Sequence, residues 1–290
     1  MIISASYKTD VPAFYGNWFL RRIKAGSVNV ANPYGGPVRR VSLIPDAVDG
    51  FVFWTRNAAP FGSALEHING AGYPFVLHYT ITGYPRELDL ATPPAEAAIA
   101  DFLALSRLWS ARRLIWRYDP VLISSMTPKS WHLANFQALA KALSGATDEV
   151  VLSFTHIYRK TRGNLKRAAE AGNFTWDDPI DAEKQALLVE LATIANDHGM
   201  TASLCGQPDF LGNRLTEARC IDAMRLSEFA GHEISAGKRS HRKGCACAAS
   251  IDIGGYDTCP HGCVYCYGVQ SREKAKDALA GHDATAEILG

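Results

Sequence analysis

Short apolar runs rich in β-branched and aromatic residues recur along this chain, each followed by a stretch of helical periodicity. No other feature limits the possible folds as strongly, because strands that alternate with helices pair in parallel. Strands are expected at Ile2–Ser6, Val28–Asn32, Phe51–Thr55, Phe75–Thr82, Leu114–Tyr118, Val150–Thr155 and Thr201–Leu204. Stretches such as VVLSF and FVFW are apolar at both parities, as a strand covered on two faces requires. Between the strands, Pro12–Lys24 is amphipathic and stops at Gly26, and Pro94–Trp109 opens on a proline pair suited to a first turn. Ser130–Leu143 and Asp181–Asp197 run up to Gly145 and Gly199, and Asn213–Ser227 and Arg272–Ala280 are further helix candidates. Seven such units predict an α/β chain folded as a TIM-like (β/α) barrel, complete or nearly complete. The expected division is a barrel over 1–240 and, over 241–290, a cysteine-rich extension with a C-terminal helix packed on it.

Hydrophobic residues make up 47% of the 290, enough for a substantial core. A formal net charge of +1 gives no broad electrostatic footprint for a nucleic-acid backbone, so the expected partner is a small molecule. Met1–Asp10 has no basic lead with a long apolar run, and no apolar stretch approaches the ~20 residues that cross a bilayer. A cytoplasmic location and no membrane partner are therefore expected. Thiols stay reduced in that compartment, and five of the seven cysteines fall between Cys245 and Cys266, which points to metal rather than disulfides.

A barrel gathers its chemistry where strands end. In WRYDP, Arg117 and Asp119 alternate with Tyr118, so both face the mouth while Tyr118 points away. Arginine there suits a carboxylate or phosphate through its planar fork, although an Arg–Asp pair can equally knit the rim. Asp10, in SASYKTD with Ser4 and Ser6, either lines the mouth or caps the Pro12 helix. His156–Arg167 is a basic run that reads as a solvated face able to touch a phosphate. His78, His132, His198 and His232 lack metal-ligand spacing.

Near the end of the chain stands TCPHGCVYCYG, with Cys259, Cys263 and Cys266 in a C-x3-C-x2-C spacing. Three thiolates on one short loop leave one iron of a 4Fe–4S cluster without a protein ligand, a place for a small molecule to bind and react. A structural zinc, closed by four ligands, is the alternative. Cys205, Cys220, Cys245 and Cys247 could meet as a second four-sulfur site for an iron–sulfur cluster or, less favoured, zinc, or else Cys205 and Cys220 are buried as small apolar residues.

The run from Cys259 to Cys266, with Tyr265 before the last cysteine, resembles the cluster motif of the radical S-adenosylmethionine superfamily. That resemblance implies a 4Fe–4S cluster on Cys259, Cys263 and Cys266, with S-adenosylmethionine chelated by the open iron and Tyr265 packed near the adenine. It implies reductive cleavage to a 5′-deoxyadenosyl radical that attacks a small polar substrate, with sulfur insertion or another rearrangement as the outcome. An electron donor such as flavodoxin or ferredoxin belongs to that chemistry. At the strand ends, Ser4, Ser6 and Asn57 are the expected cofactor contacts, and Arg117, Asp119 and Asp10 the expected catalytic residues. The superfamily usually carries its cluster loop after the first strand, whereas here it follows the last unit, which a closed barrel returns to the first strand's side. More of the chain, in SASYKTDVPAFY, FWTRNAAP, WRYDP and CACAASIDIGGYDTCPHGCVYCY, resembles the domain of unknown function 1848 family. A zinc-stabilised barrel that only captures a small ligand is the alternative function left open by the residues.

Overall fold

Eight strands join one parallel sheet in a computed structural model that describes residues 1–32, 35–239 and 244–290. They are β1 (Ile2–Ala5), β2 (Gly50–Thr55), β3 (Phe75–Thr80), β4 (Leu114–Val121), β5 (Glu149–Phe154), β6 (Thr201–Leu204), β7 (Leu215–Glu217) and β8 (Ser250–Asp252). Strands β1 to β7 pair as successive neighbours, and β8 returns to the free side of β1, where Ile3 stands opposite Ile251. That is the order of a barrel, but the expected closed barrel is corrected to an open sheet: among the described residues no ladder joins β7 to β8. Both edge strands are only three residues long, and past them a single bond, Ala248 N to Ile221 O at 2.9 Å, links the two segments. No helix among the described residues is long and apolar enough to cross a membrane.

The helices are α1 (Val11–Phe14), α2 (Gly16–Ala25), α3 (Gly62–Gly70), α4 (Ala95–Trp109), α5 (Lys129–Leu143), α6 (Arg159–Gly172), α7 (Asp181–Asp197), α8 (Ala223–Ala230) and α9 (Arg272–Ala280). Alternate strand residues such as Phe51, Phe53, Leu77, Trp116 and Leu152 form one core with Phe19, Phe102, Phe136 and Leu188 of the helices. Phe19 meets Phe51 and Phe53 edge-on at 5.4 Å, so Phe19→Ala should cost about 3–5 kcal/mol. The other parity, Ile2, Val52, Val76, Ile115 and Val151, packs against Ala218, Ile221, Leu226 and the cysteines at 205, 220, 245 and 247. Burial on two faces explains why these strands read as continuously apolar.

Four expected elements differ. Residues Ser27–Val30 pair antiparallel with Arg39–Ser42 outside the main sheet; only Val28 of the four is buried, which suits a hairpin with one solvated face. The expected helix over Asn213–Ser227 is β7 followed by α8, because Asp222 accepts bonds from Met224 N and Arg225 N and starts the helix there. The expected helix Pro12–Lys24 is interrupted at Tyr15, whose hydroxyl reaches Thr258 O at 2.6 Å, and its second part ends on Gly26 at φ 67°. Strand β4 runs through Pro120, and its register with β5 shifts between Tyr118 and Val121, since proline offers no N–H to the ladder. Helix α6 occupies most of the basic run read as a solvated face, and the expected domain boundary at 240 lies outside the described residues.

Candidate active site

The inner face of the sheet turns from apolar to polar toward the C-terminal ends of its strands. Period-two alternation takes it from Ile2 through Ser4 to Ser6, from Val52 through Trp54 to Arg56, and from Val76 through His78 to Thr80. It takes Ile115 through Arg117 to Asp119 and Val151 through Ser153 to Thr155. The polar ends open into a cavity of about 240 Å³, roofed by Tyr158, Tyr267 and the cysteine loop.

All three cysteines of that loop, Cys259, Cys263 and Cys266, line the cavity. Bonds from several directions hold the loop in place: Tyr15 Oη to Thr258 O (2.6 Å), Val264 N to Leu88 O (3.0 Å), Ala91 N to His261 O (2.9 Å) and Arg272 Nε to Pro260 O (3.0 Å). Tyr265 is fixed by its side chain, donating to Asp89 Oδ1 at 2.6 Å and accepting from Arg56, which also pairs with Asp89 at 2.7 Å. Burial pushes all three thiols up, and for Cys263 it outweighs the pull of the Arg56 cation. The loop therefore carries neutral thiols, and any metal bound there displaces protons.

A second hub lies at the β1–β8 edge. The Asp252 carboxylate accepts from Ser4 Oγ (2.5 Å), Ser6 Oγ (2.9 Å), Tyr7 N and Gly254 N (both 3.0 Å), with the Lys8 ammonium at 3.5 Å. Position 254 has to be glycine, because a Cβ would stand 2.1 Å from Ser6 Oγ. Asp10 does both things expected of it: it caps α1 through Ala13 N at 2.9 Å and lines the cavity, where it also accepts from His261 Nε2 at 2.8 Å.

Arg117 and Asp119 pair in the cavity wall, with Nε 3.1 Å from Oδ2, and Ser153 donates to the other carboxylate oxygen. Tyr118 points to the opposite face, bonded to His132 Nδ1 at 2.8 Å. Beneath the cavity, Arg117 donates to Cys220 Sγ at 3.2 Å, and Cys220 Sγ lies 3.4 Å from Cys205 Sγ. Cys247 bonds Cys220 and in turn Cys245, so the four buried sulfurs stand together in the interior. The bond with Cys205 lowers the Cys220 thiol, but the bond with Cys247 and burial together push it up to about 11. His78 donates from Nε2 to Cys220 O at 2.7 Å; burial and Arg117 hold it neutral.

The structure thus brings the cysteine triad, Tyr265, Ser6, Asp10, Arg117 and Asp119 to one cavity. Ser4 and Asn57 do not line it: Ser4 is buried against Asp252, and Asn57 turns its backbone N–H to Thr55 Oγ1. Sequence reasoning missed Asp252 and Asp89. A lone acid within the apolar run SID is a usable signal for Asp252, since a buried carboxylate needs several donors; nothing in RELDLATPP separates Asp89 from its neighbours. Among the described residues no group of three or more His, Cys, Asp or Glu side chains is gathered closely enough to hold a metal ion.

A family model described as Domain of unknown function (DUF1848) matches residues 2–268. No curated protein and no solved structure matches the chain.

Proposed function

The chain belongs to the DUF1848 family, whose name assigns no activity, so function has to be argued from the site, and we propose an iron–sulfur enzyme of the radical S-adenosylmethionine type acting on a small polar substrate. One observation carries this reading: three thiols of one firmly held loop open into the same polar cavity at the C-terminal ends of the strands. The donor set suits the group. Three sulfurs from one loop satisfy three irons of a 4Fe–4S cluster and leave the fourth to a small-molecule ligand. When bound there with S-adenosylmethionine, the cluster supplies the electron that cleaves the sulfonium and gives a 5′-deoxyadenosyl radical.

The chain's own residues hold the reactants. The Arg117 fork, kept in plane by Asp119, presents a cation to a carboxylate or phosphate of the substrate. Lys8, ion-paired to Asp252 at 3.5 Å, offers a second cation on the β1 side. Asp10 sets the orientation of His261 inside the loop. Trp54, Tyr158 and Tyr267 add aromatic walls that limit water around the reacting groups.

The same reading treats the sheet as a barrel whose last seam is the Ala248–Ile221 bond rather than a ladder. It takes the four interior thiols as an auxiliary iron–sulfur site, where the buried Arg117 cation offsets part of the charge that thiolates would bring. Anaerobic reconstitution with iron and sulfide is the test. A brown protein that converts S-adenosylmethionine to 5′-deoxyadenosine is expected; a colourless protein with stoichiometric zinc and no turnover overturns the proposal.

A further inference from the structure

The cysteine loop is a thin partition with an opening on each side. Cys259, Cys263 and Cys266 border the inner cavity and also a separate outer groove. Asn164 and Arg167 of α6 and Arg272 of α9 wall that groove. Helix α6 is tied to the partition itself, with Asn164 Nδ2 3.2 Å from both Cys266 O and Val269 O, and an Arg167 nitrogen 3.2 Å from Gln270 O.

Charge on this helix is unlike charge on the rest of the chain. Its fourteen residues, RKTRGNLKRAAEAG, carry five cations, Arg159, Lys160, Arg162, Lys166 and Arg167, and one acid, Glu170. All five cations are exposed. Five less one is +4, whereas the whole chain sums to only +1, so α6 is a local positive field set beside the sulfurs.

We infer that this outer face receives a small acidic one-electron carrier protein, which docks on α6 and delivers its electron through the cysteine loop from the side opposite the substrate. The inference rests on the cluster reading above. With S-adenosylmethionine and substrate filling the inner cavity, the outer groove is the approach left open to a reductant. Electron tunnelling weakens steeply with distance, and a carrier seated on α6 lies against the residues that hold Cys266. Its acidic surface complements the five cations, which raise the encounter rate and orient the docked pair. A nucleic acid fits this face less well, since α6 carries no aromatic residue on which bases could stack.

The test uses flavodoxin, an acidic flavin protein, with the full-length reconstituted protein. Arg159→Glu/Lys160→Glu/Lys166→Glu is compared with the wild type, and Arg159→Gln/Lys160→Gln serves if the first variant folds poorly. Flavodoxin binding, followed by calorimetry, should weaken at least about tenfold in the charge-reversed variant. Wild-type affinity should also fall between about 0.05 and about 0.3 M salt. Bleaching of the cluster absorbance by reduced flavodoxin should slow by a similar factor, while bleaching by dithionite stays unchanged. Equal binding and equal bleaching in variant and wild type overturn the inference, as does salt-sensitive binding of single-stranded RNA at α6 without binding of flavodoxin. A protein that takes up no iron defeats the cluster reading instead, and calorimetry then still scores the docking face on its own.

Discussion

Tyr265 donates its phenolic proton to Asp89 at 2.6 Å, and this bond ties the cysteine loop to the segment that follows β3. Arg56, from the end of β2, bonds to both partners, so three separate parts of the chain meet at one buried ionic knot. Tyr265→Phe removes the hydrogen bond but keeps the ring against Tyr84, 5.7 Å away. Leaving Asp89 one donor short should cost about 1–3 kcal/mol in denaturant unfolding. The variant should also lose reconstituted iron to a chelator faster than wild type. Unaltered iron retention would show that the knot plays no part in holding the loop.

Cys205→Ser tests the interior sulfurs without touching the loop. With four-iron clusters at both sites, iron per chain should fall by about half while 5′-deoxyadenosine formation from the triad persists at a reduced rate. Loss of zinc alone would identify the interior metal as zinc. Metal content equal to wild type would remove the auxiliary site from the proposal.

Gly254→Ala pushes a methyl group into the contact with Ser6 Oγ at 2.1 Å and Ser6 Cβ at 2.5 Å. The Ser6–Asp252 bond cannot survive that displacement, and overpacking of this kind costs about 1–3 kcal/mol. Thermal unfolding should report a lower Tm, whereas Gly72→Ala, where no neighbour lies within 4 Å, should not clash and should suffer only its positive φ. Equal loss in both variants would refute the steric account.

Stability should fall with acid through His132. Burial lowers its pKa from 6.5 to about 4, against the pull of the Leu122 carbonyl. The unfolded chain therefore binds a proton that the folded chain refuses, so stability is complete above 6.5 and drains away as pH falls toward about 4. At about pH 5 the loss from this one group is about 2 kcal/mol. In His132→Gln, urea midpoints should depend less steeply on pH across that interval, with His78, shifted in the same direction, supplying what slope remains. An unchanged slope would clear His132 of the effect.

The sheet was legible where strands are buried on both faces, and this is why β2, β3 and β5 stand close to their expected places. Edge strands left weaker marks. Leu215–Glu217 is three residues beside an Asp222 helix cap, and its signal merged with that of the helix. Chain closure was not legible at all, because the seam depends on how Ile221 and Ala248 meet, twenty-seven residues apart in a stretch with no periodicity. Within the site, residues advertised by spacing or alternation were found from the sequence: the three cysteines, and Arg117 with Asp119. Asp89 and Asp252 work through partners 33 to 248 positions away, and no local pattern encodes such a meeting.

Strand β8 and the loop after it leave the ribosome after the other seven strands, yet β8 pairs with the first of them. Until then β1 keeps one edge open, and the Asp252 hub cannot form. The nascent chain therefore builds its floor, walls and cationic wall residues before any of the loop sulfurs emerges. Reactive thiols that arrive last meet a finished receptacle, which shortens the time they spend exposed to oxidants and stray metals during biosynthesis.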